Sequence, residues 1–289
     1  MSTRLITVAE LLEAPTSVDW ATLAENAGAG SAAQAIEQGN LIDRVSGWAA
    51  NYCGQPLGLH ATQLTETGRT RRSGYPGMKT WVDRDGFLNF RTTTLPVLSV
   101  VSSQWAYLGV PLTYTAVPAT NWVILGSYPQ VRHLIEASMD WTPNRQIPTL
   151  VQVVYVSGWP NAVLGANVTS GASKTLQVDT TLGMSATAGD PGNQLTIYDG
   201  ATTEIVTVSS VTDATHVVVA NLVSNHNASV GVSAVPSDMK QAVILGCAHW
   251  ARERGVDALE MPTAASVLPK GMGSGWDDAK ALLQPYRTT

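Results

Sequence analysis

The chain has 289 residues, 44% of them hydrophobic and 13% charged, with a formal net charge of −5. That apolar content supports packed cores and argues against global disorder, while the charge gives neither the basic footprint of a free nucleic-acid binder nor a long acidic tail. The length suits about two domains of ordinary size.

The opening "MSTRLITVAELLEAP" lacks the apolar core of a secretory signal, and no run approaches the roughly 18 apolar residues that span a bilayer. Production and retention in the cytosol are therefore expected. The sequons at Asn167 and Asn227 read as ordinary turn residues. Cys53 and Cys247 sit in apolar helical patterns and are expected as free, buried thiols.

Residues 7–14 predict a short helix: Thr7 and Glu10 have capping-box spacing and Pro15 follows as a stop. Ser31 and Gln34 repeat that spacing ahead of a helix of about twenty residues, in which Leu41, Val45, Trp48, Ala49 and Tyr52 share a face. Gly54 and Pro56 are its expected end. After an irregular stretch holding "GRTRRSG", Asp85-Gly86 between apolar runs predicts a hairpin, and "LPVLSVVSSQW", "NWVILG" and "LVQVVYVSGWP" read as strands. The Val and Tyr run of the last suggests burial on both faces.

Residues 161–234 hold one lysine and no arginine, tryptophan or phenylalanine. Short β units such as "QLTIYDG" and "TEIVTVSSV" recur there about every ten residues, as in a small all-β barrel or sandwich. At Val235 a helix begins abruptly. Ser237 can cap it and Asp238 complements its dipole; Met239, Val243, Cys247 and Trp250 form one seam, widened by Ala242, Ile244, Leu245 and Ala248. A helix so apolar needs neighbours on several sides, and the helix at residues 33–53 is the natural one. Arg252, Arg254 and Gly255 suit its C-terminal end. The expected organisation is thus α+β: a helical-bundle core with a small β-sheet and hairpin region, built from residues 1–160 and 235–289, interrupted by an all-β domain at 161–234. A Gly-rich linker then precedes an amphipathic end segment, Trp276 to Pro285, suited to docking on its own domain or on a neighbouring copy.

His60, His133, His216, His226 and His249 fall at no metal-ligand spacing, and neither a GxSxG elbow nor a Walker loop occurs. Asp83, Asp85 and Gly86 fit a turn better than a calcium loop. Glu204 stands on a predicted strand without an evident acid/base partner and reads as an outward-facing residue. No catalytic residue, cofactor or metal is expected. Arg69, Arg71 and Arg72 form a dense basic cluster, able to meet phosphates or an acidic protein face, or simply to lie in a solvated loop.

In their order, "LLEA", the long helix ending "ANYCGQP", the hairpin at "DGFLNF", "LPVLSVVS", "VQVVYVSGWP", "VPSDMKQAVILGCAHWARER" and the terminal "LLQPYR" resemble the head–tail connector (adaptor) proteins of long-tailed bacteriophages. The resemblance covers residues 5–160 and 235–289; Gly158-Trp159 and Val235-Pro236, neighbours in that family, are separated here by the β insertion. It implies a structural virion protein that forms a ring of about twelve copies beneath the portal, continues the DNA channel without sequence-specific binding, and meets the next neck or tail component. It carries no catalytic residue over. It places Trp276, Leu282, Leu283, Pro285 and Tyr286 as candidates for portal or subunit docking, Arg69, Arg71 and Arg72 as possible portal or DNA contacts, and Trp48, Tyr52, Val243, Cys247 and Trp250 in core helix packing. Nine tryptophans against two phenylalanines, among them Trp81, Trp105, Trp122, Trp141 and Trp159, exceed what one small core needs, so some are expected in interfaces. The alternative is another tail or baseplate protein whose β insert binds a host-surface ligand.

Overall fold

The computed structural model describes residues 4–20, 32–58, 64–69, 80–82, 88–107, 112–118, 122–124, 130–133, 149–253 and 275–287. Among them are four α-helices: α1 (Val8–Glu13), α2 (Ala32–Cys53), α3 (Ser237–Glu253) and α4 (Gly275–Leu283). Eight strands lie between α2 and residue 158: β1 (Leu64–Arg69), β2 (Thr80–Val82), β3 (Leu88–Arg91), β4 (Val97–Tyr107), β5 (Thr115–Val117), β6 (Trp122–Ile124), β7 (Gln130–His133) and β8 (Thr149–Ser157). Six more follow: β9 (Asn161–Val163), β10 (Gly171–Gln177), β11 (Gln194–Tyr198), β12 (Glu204–Val211), β13 (His216–Leu222) and β14 (Gly231–Ser233).

This overturns the expected helical-bundle core. The described chain is mostly β, and residues 64–157 form two antiparallel four-stranded sheets, ordered β1-β8-β4-β5 and β2-β3-β7-β6. Their strands do not serve as hairpins laid on helices. They bury Phe90 and Trp122 from one sheet against Val97, Val151, Val153 and Tyr155 from the other, in a core that contains no helical residue. The Trp122 indole N–H donates to Ser103 Oγ at 2.6 Å, tying the sheets together through a buried polar contact. In β8, Val151, Val153 and Tyr155 are fully buried on one face, while on the other Gln152 and Val154 are half-buried and only Val156 is enclosed, so burial on both faces is reached only at the strand's end. The Asp85-Gly86 turn lies outside the described residues; β2 and β3 on either side of it pair antiparallel, Thr80 opposite Phe90 and Val82 opposite Leu88.

Strands β9 to β14 form a third antiparallel sheet, ordered β10-β13-β12-β11-β14-β9. It curls until its outermost strands meet: Leu164 bridges Val178, Gly165 N–H donates to the Gln177 carbonyl at 2.7 Å, and Asp179 N–H to that of Val163 at 3.1 Å. Closing in this way leaves no long open edge for another strand to pair with. Alternation sends Leu195 and Ile197 of β11, Val206 and Val208 of β12, and Val217 and Val219 of β13 inward, where Leu176, Leu222 and Val232 complete the filling.

The helices share a separate core built from the two ends of the chain. Leu5, Ile6, Leu11, Leu41, Ile42, Val45 and Leu57 pack with Val235, Met239, Val243, Cys247, Ala279 and Leu283. α1 begins with the predicted capping box: Glu10 N–H donates to Thr7 Oγ1, and Thr7 N–H to the Glu10 carboxylate. α2 and α3 approach closely at Gly246, where an added Cβ would come within 2.7 Å of Val45. Cys53 and Cys247 are free and buried, and burial pushes the Cys53 thiol up to about 11. No helix of the described residues is long and apolar enough to cross a membrane.

Because Ile197 is fully enclosed in the barrel interior, Ile197→Ala is expected to lower stability by about 2–5 kcal/mol in urea unfolding. A loss below ~1 kcal/mol would mean the barrel is not closed around this position.

Candidate functional site

The C-terminal segment folds back over the junction of α2 and α3. Trp276 at the start of α4 sits over Trp48 with ring centroids 4.3 Å apart, and edge-on to His249 at 5.4 Å. Ala279 and Leu283 are buried in the helical core, with Leu282 half-buried beside them. After α4 a single 3-10 turn carries Tyr286, whose ring stands edge-on to Trp159 and whose hydroxyl donates to both Asp238 carboxylate oxygens, at 2.7 and 2.9 Å. Burial, then the Asp238 contact, pushes the Tyr286 phenol well above its ordinary range, so it stays a neutral donor. Gln55 spans two segments, donating to the Tyr286 carbonyl and accepting from Leu95 N–H.

The barrel is anchored to the helices by a buried ion pair. Lys240 on α3 is 4% exposed and Glu10 on α1 is 8% exposed, and the ammonium donates to the carboxylate. The ammonium also lies 3.7 Å from the centre of the Tyr198 ring at the end of β11. Burial lowers the Lys240 pKa, and the Glu10 charge and hydrogen bond offset that in part. Gly231, which opens β14, faces the same place: a Cβ there would meet Thr7 and Glu10, each at 3.3 Å. Asn161 donates to the Arg4 carbonyl at 2.7 Å, and Ala234 N–H to that of Pro160 at 2.8 Å, so the chain enters and leaves the barrel at one point.

A second buried charge cluster lies within the barrel. The side chain of His226 is wholly enclosed; its Nδ1 is 3.0 Å from Asp199 and its Nε2 2.8 Å from Glu204. Both contacts are hydrogen bonds when both ring nitrogens carry hydrogen. Glu204 also accepts from the N–H groups of Val223 and Ser224 at 2.8 Å each. It is therefore the clamp of the segment that follows β13, not an outward-facing strand residue. Its burial would raise its pKa, but the hydrogen bonds from Val223, Ser224 and His226 outweigh that and lower it. With both ring nitrogens engaged by carboxylates, the cluster ties the ends of β11 and β12 to the segment after β13. Nothing local in the sequence marks it, since His226 lies 27 residues from Asp199 and 22 from Glu204.

The residues singled out from sequence divide accordingly. Trp276, Leu282, Leu283 and Tyr286 lie against α2 and α3 of their own chain, and Pro285 is exposed beside them. Val243 and Cys247 are buried in the helical core, while Trp48, Tyr52 and Trp250 are half-buried at its rim. Arg69 ends β1, whereas Arg71 and Arg72 lie outside the described residues. Trp122 belongs to the sandwich core, Trp105 packs at its margin and Trp159 against the helices; Trp141 and the side chain of Trp81 lie outside the described residues. Among the described residues no group of three or more His, Cys, Asp or Glu side chains is arranged to hold a metal ion.

Comparison with known proteins returned no matching family model, no matching curated protein and no matching solved structure.

Lys240→Ala, which leaves the Glu10 carboxylate buried and unpaired, is expected to cost about 3–5 kcal/mol in thermal or urea unfolding, and Glu10→Gln with Lys240→Met together to recover most of that loss. Because the Glu204 carboxyl titrates below its ordinary value of 4.5, its stabilisation is complete above that value and is lost as pH falls through the lower folded-state value. Glu204→Gln should therefore flatten the acid limb of the stability profile below about pH 4.5; an unchanged slope would show the clamp to be electrostatically idle.

Proposed function

We propose that this chain is a structural component of a phage neck, an adaptor subunit that assembles as a ring on the portal and carries the DNA channel towards the tail. The reading rests on the order of the connector-like segments along residues 5–160 and 235–289. One observation supports it above the rest: the first and last of those segments, far apart in sequence, close into one hydrophobic core. The chain leaves that core for the sandwich, returns at Trp159, which packs against it, leaves again for the barrel, and returns at Val235. In this proposal the helical core makes the ring, and the sandwich and barrel are projections from it. The acidic net charge of −5 suits a conduit through which DNA slides without adhering.

A tail or baseplate role with ligand binding by the barrel is the second reading. It draws on the exposed side chains of Ile205 and Val223, which lie on the barrel and fill none of its interior.

Native mass measurement and negative-stain imaging of the purified protein, alone and mixed with the portal protein from the same genome, separate these. The adaptor reading predicts a closed ring stacked coaxially on the portal. A protein that stays monomeric and never associates with the portal would contradict it.

A further inference from the structure

Three glycines interrupt the two long helices, and their surroundings differ. A Cβ at Gly39 would come within 2.6 Å of the Arg4 guanidinium, and one at Gly246 within 2.7 Å of Val45, so both glycines have close neighbours within the chain. A Cβ at Gly47 would meet nothing within 4 Å. Gly47 is exposed, in the middle of the 22-residue α2, where glycine costs about 1 kcal/mol relative to alanine. Nothing inside the described chain offsets that cost.

The side chains around Gly47 have the composition of an interface. Arg44, one turn before it, lies 5.2 Å from the centre of the Trp250 ring. Trp48 stacks on Tyr52 at 5.9 Å and 15°, and Arg287 stands 5.0 Å from the Tyr52 ring. The ridge thus runs Trp250, Arg44, Trp48, Tyr52, Arg287, with aromatic rings half-buried and both guanidinium groups exposed. Trp, Tyr and Arg are the residues that dominate binding energy at protein interfaces. Neither Arg44 nor Arg287 is paired with a carboxylate among the described residues; each rests on an aromatic ring and keeps its donors free.

We infer that this ridge of α2, with Gly47 as the point of close backbone approach, is the contact between adjacent copies of this chain. The inference rests on the ring reading above and deepens it. The chain's acidic surplus, 22 Asp and Glu against 17 Lys and Arg, gives the adjoining copy the sign that two unpaired guanidinium groups call for. A ring contact is heterologous, so the cationic ridge of one copy meets a different, acidic face of the next. The glycine admits that face close to the helix backbone, where any longer side chain would hold it off.

The test uses the full chain with three substitutions and reads fold and assembly separately. Gly47→Ala should raise Tm by about 2–4 °C in the unassembled protein, because the site is open there. Gly47→Arg should share most of that rise in Tm and Arg44→Glu should leave Tm close to wild type, both with the wild-type circular dichroism, yet each should need at least ~10-fold more protein to reach the same oligomer fraction by native mass or light scattering, alone or on the portal. If wild type forms rings and both variants form them at the same concentration, the inference is overturned and the ring reading stands. Variants that self-assemble normally but lose the portal would assign the ridge to the portal and also overturn it. If wild type itself never assembles, the inference and the ring reading fall together.

Discussion

Lys240 carries its ammonium into the interior of α3, and the carboxylate it meets belongs to Glu10, 230 residues earlier in the chain. A buried charge without a partner costs several kcal/mol, so this contact holds only while α1, α3 and the end of β11 keep their mutual positions. Glu10 is bound from two directions, because its carboxylate also closes the capping box that starts α1. The Tyr198 face and the glycine at 231 bring the barrel up to the same pair. Helix start, helix packing and barrel position are therefore set by one group of atoms. The pair gives little net stability compared with an apolar substitute, but it permits only one arrangement of the three parts.

Around that constraint the apolar burial divides into three separate cores. The sandwich and the barrel each satisfy their own strands, and the helical core joins the two chain ends. The C-terminal segment completes the helical core: Trp276 covers Trp48, and Tyr286 reaches Asp238 in the first turn of α3. Aromatic side chains collect at this rim, half-buried, in place of filling the interior. In the proposed ring such a rim is where adjoining copies gain most from burial.

Sequence reading succeeded where the determining contacts are local. The Thr7–Glu10 box and the abrupt start of α3 after Pro236 both depend on spacings of a few residues. It failed over the relation between strands. Residues 64–157 contain readable strands, but nothing in their own pattern says that Phe90 and Trp122 face Val151 and Tyr155 across two sheets, and the strongly capped helices drew the expected core to themselves. Buried polar partners were hidden for the same reason. Glu204 looks solvent-facing until Val223, Ser224 and His226 fold over it, and Lys240 lies in an apolar helix whose periodicity marks only its neighbours. The cationic and aromatic ridge on α2 assembles from residues 44 to 52, 250 and 287 and is visible only once the helices are packed.

The claim on which the functional account turns is that assembly belongs to the helical core and that the barrel is carried along. Hydrogen–deuterium exchange of the full chain, free and then bound to the portal protein, tests it directly. The account predicts slowed exchange on assembly in peptides covering Arg44–Tyr52 and residues 275–287, with the barrel strands from 171 to 222 unchanged. Protection confined to those barrel strands would contradict it and move the binding surface to the barrel.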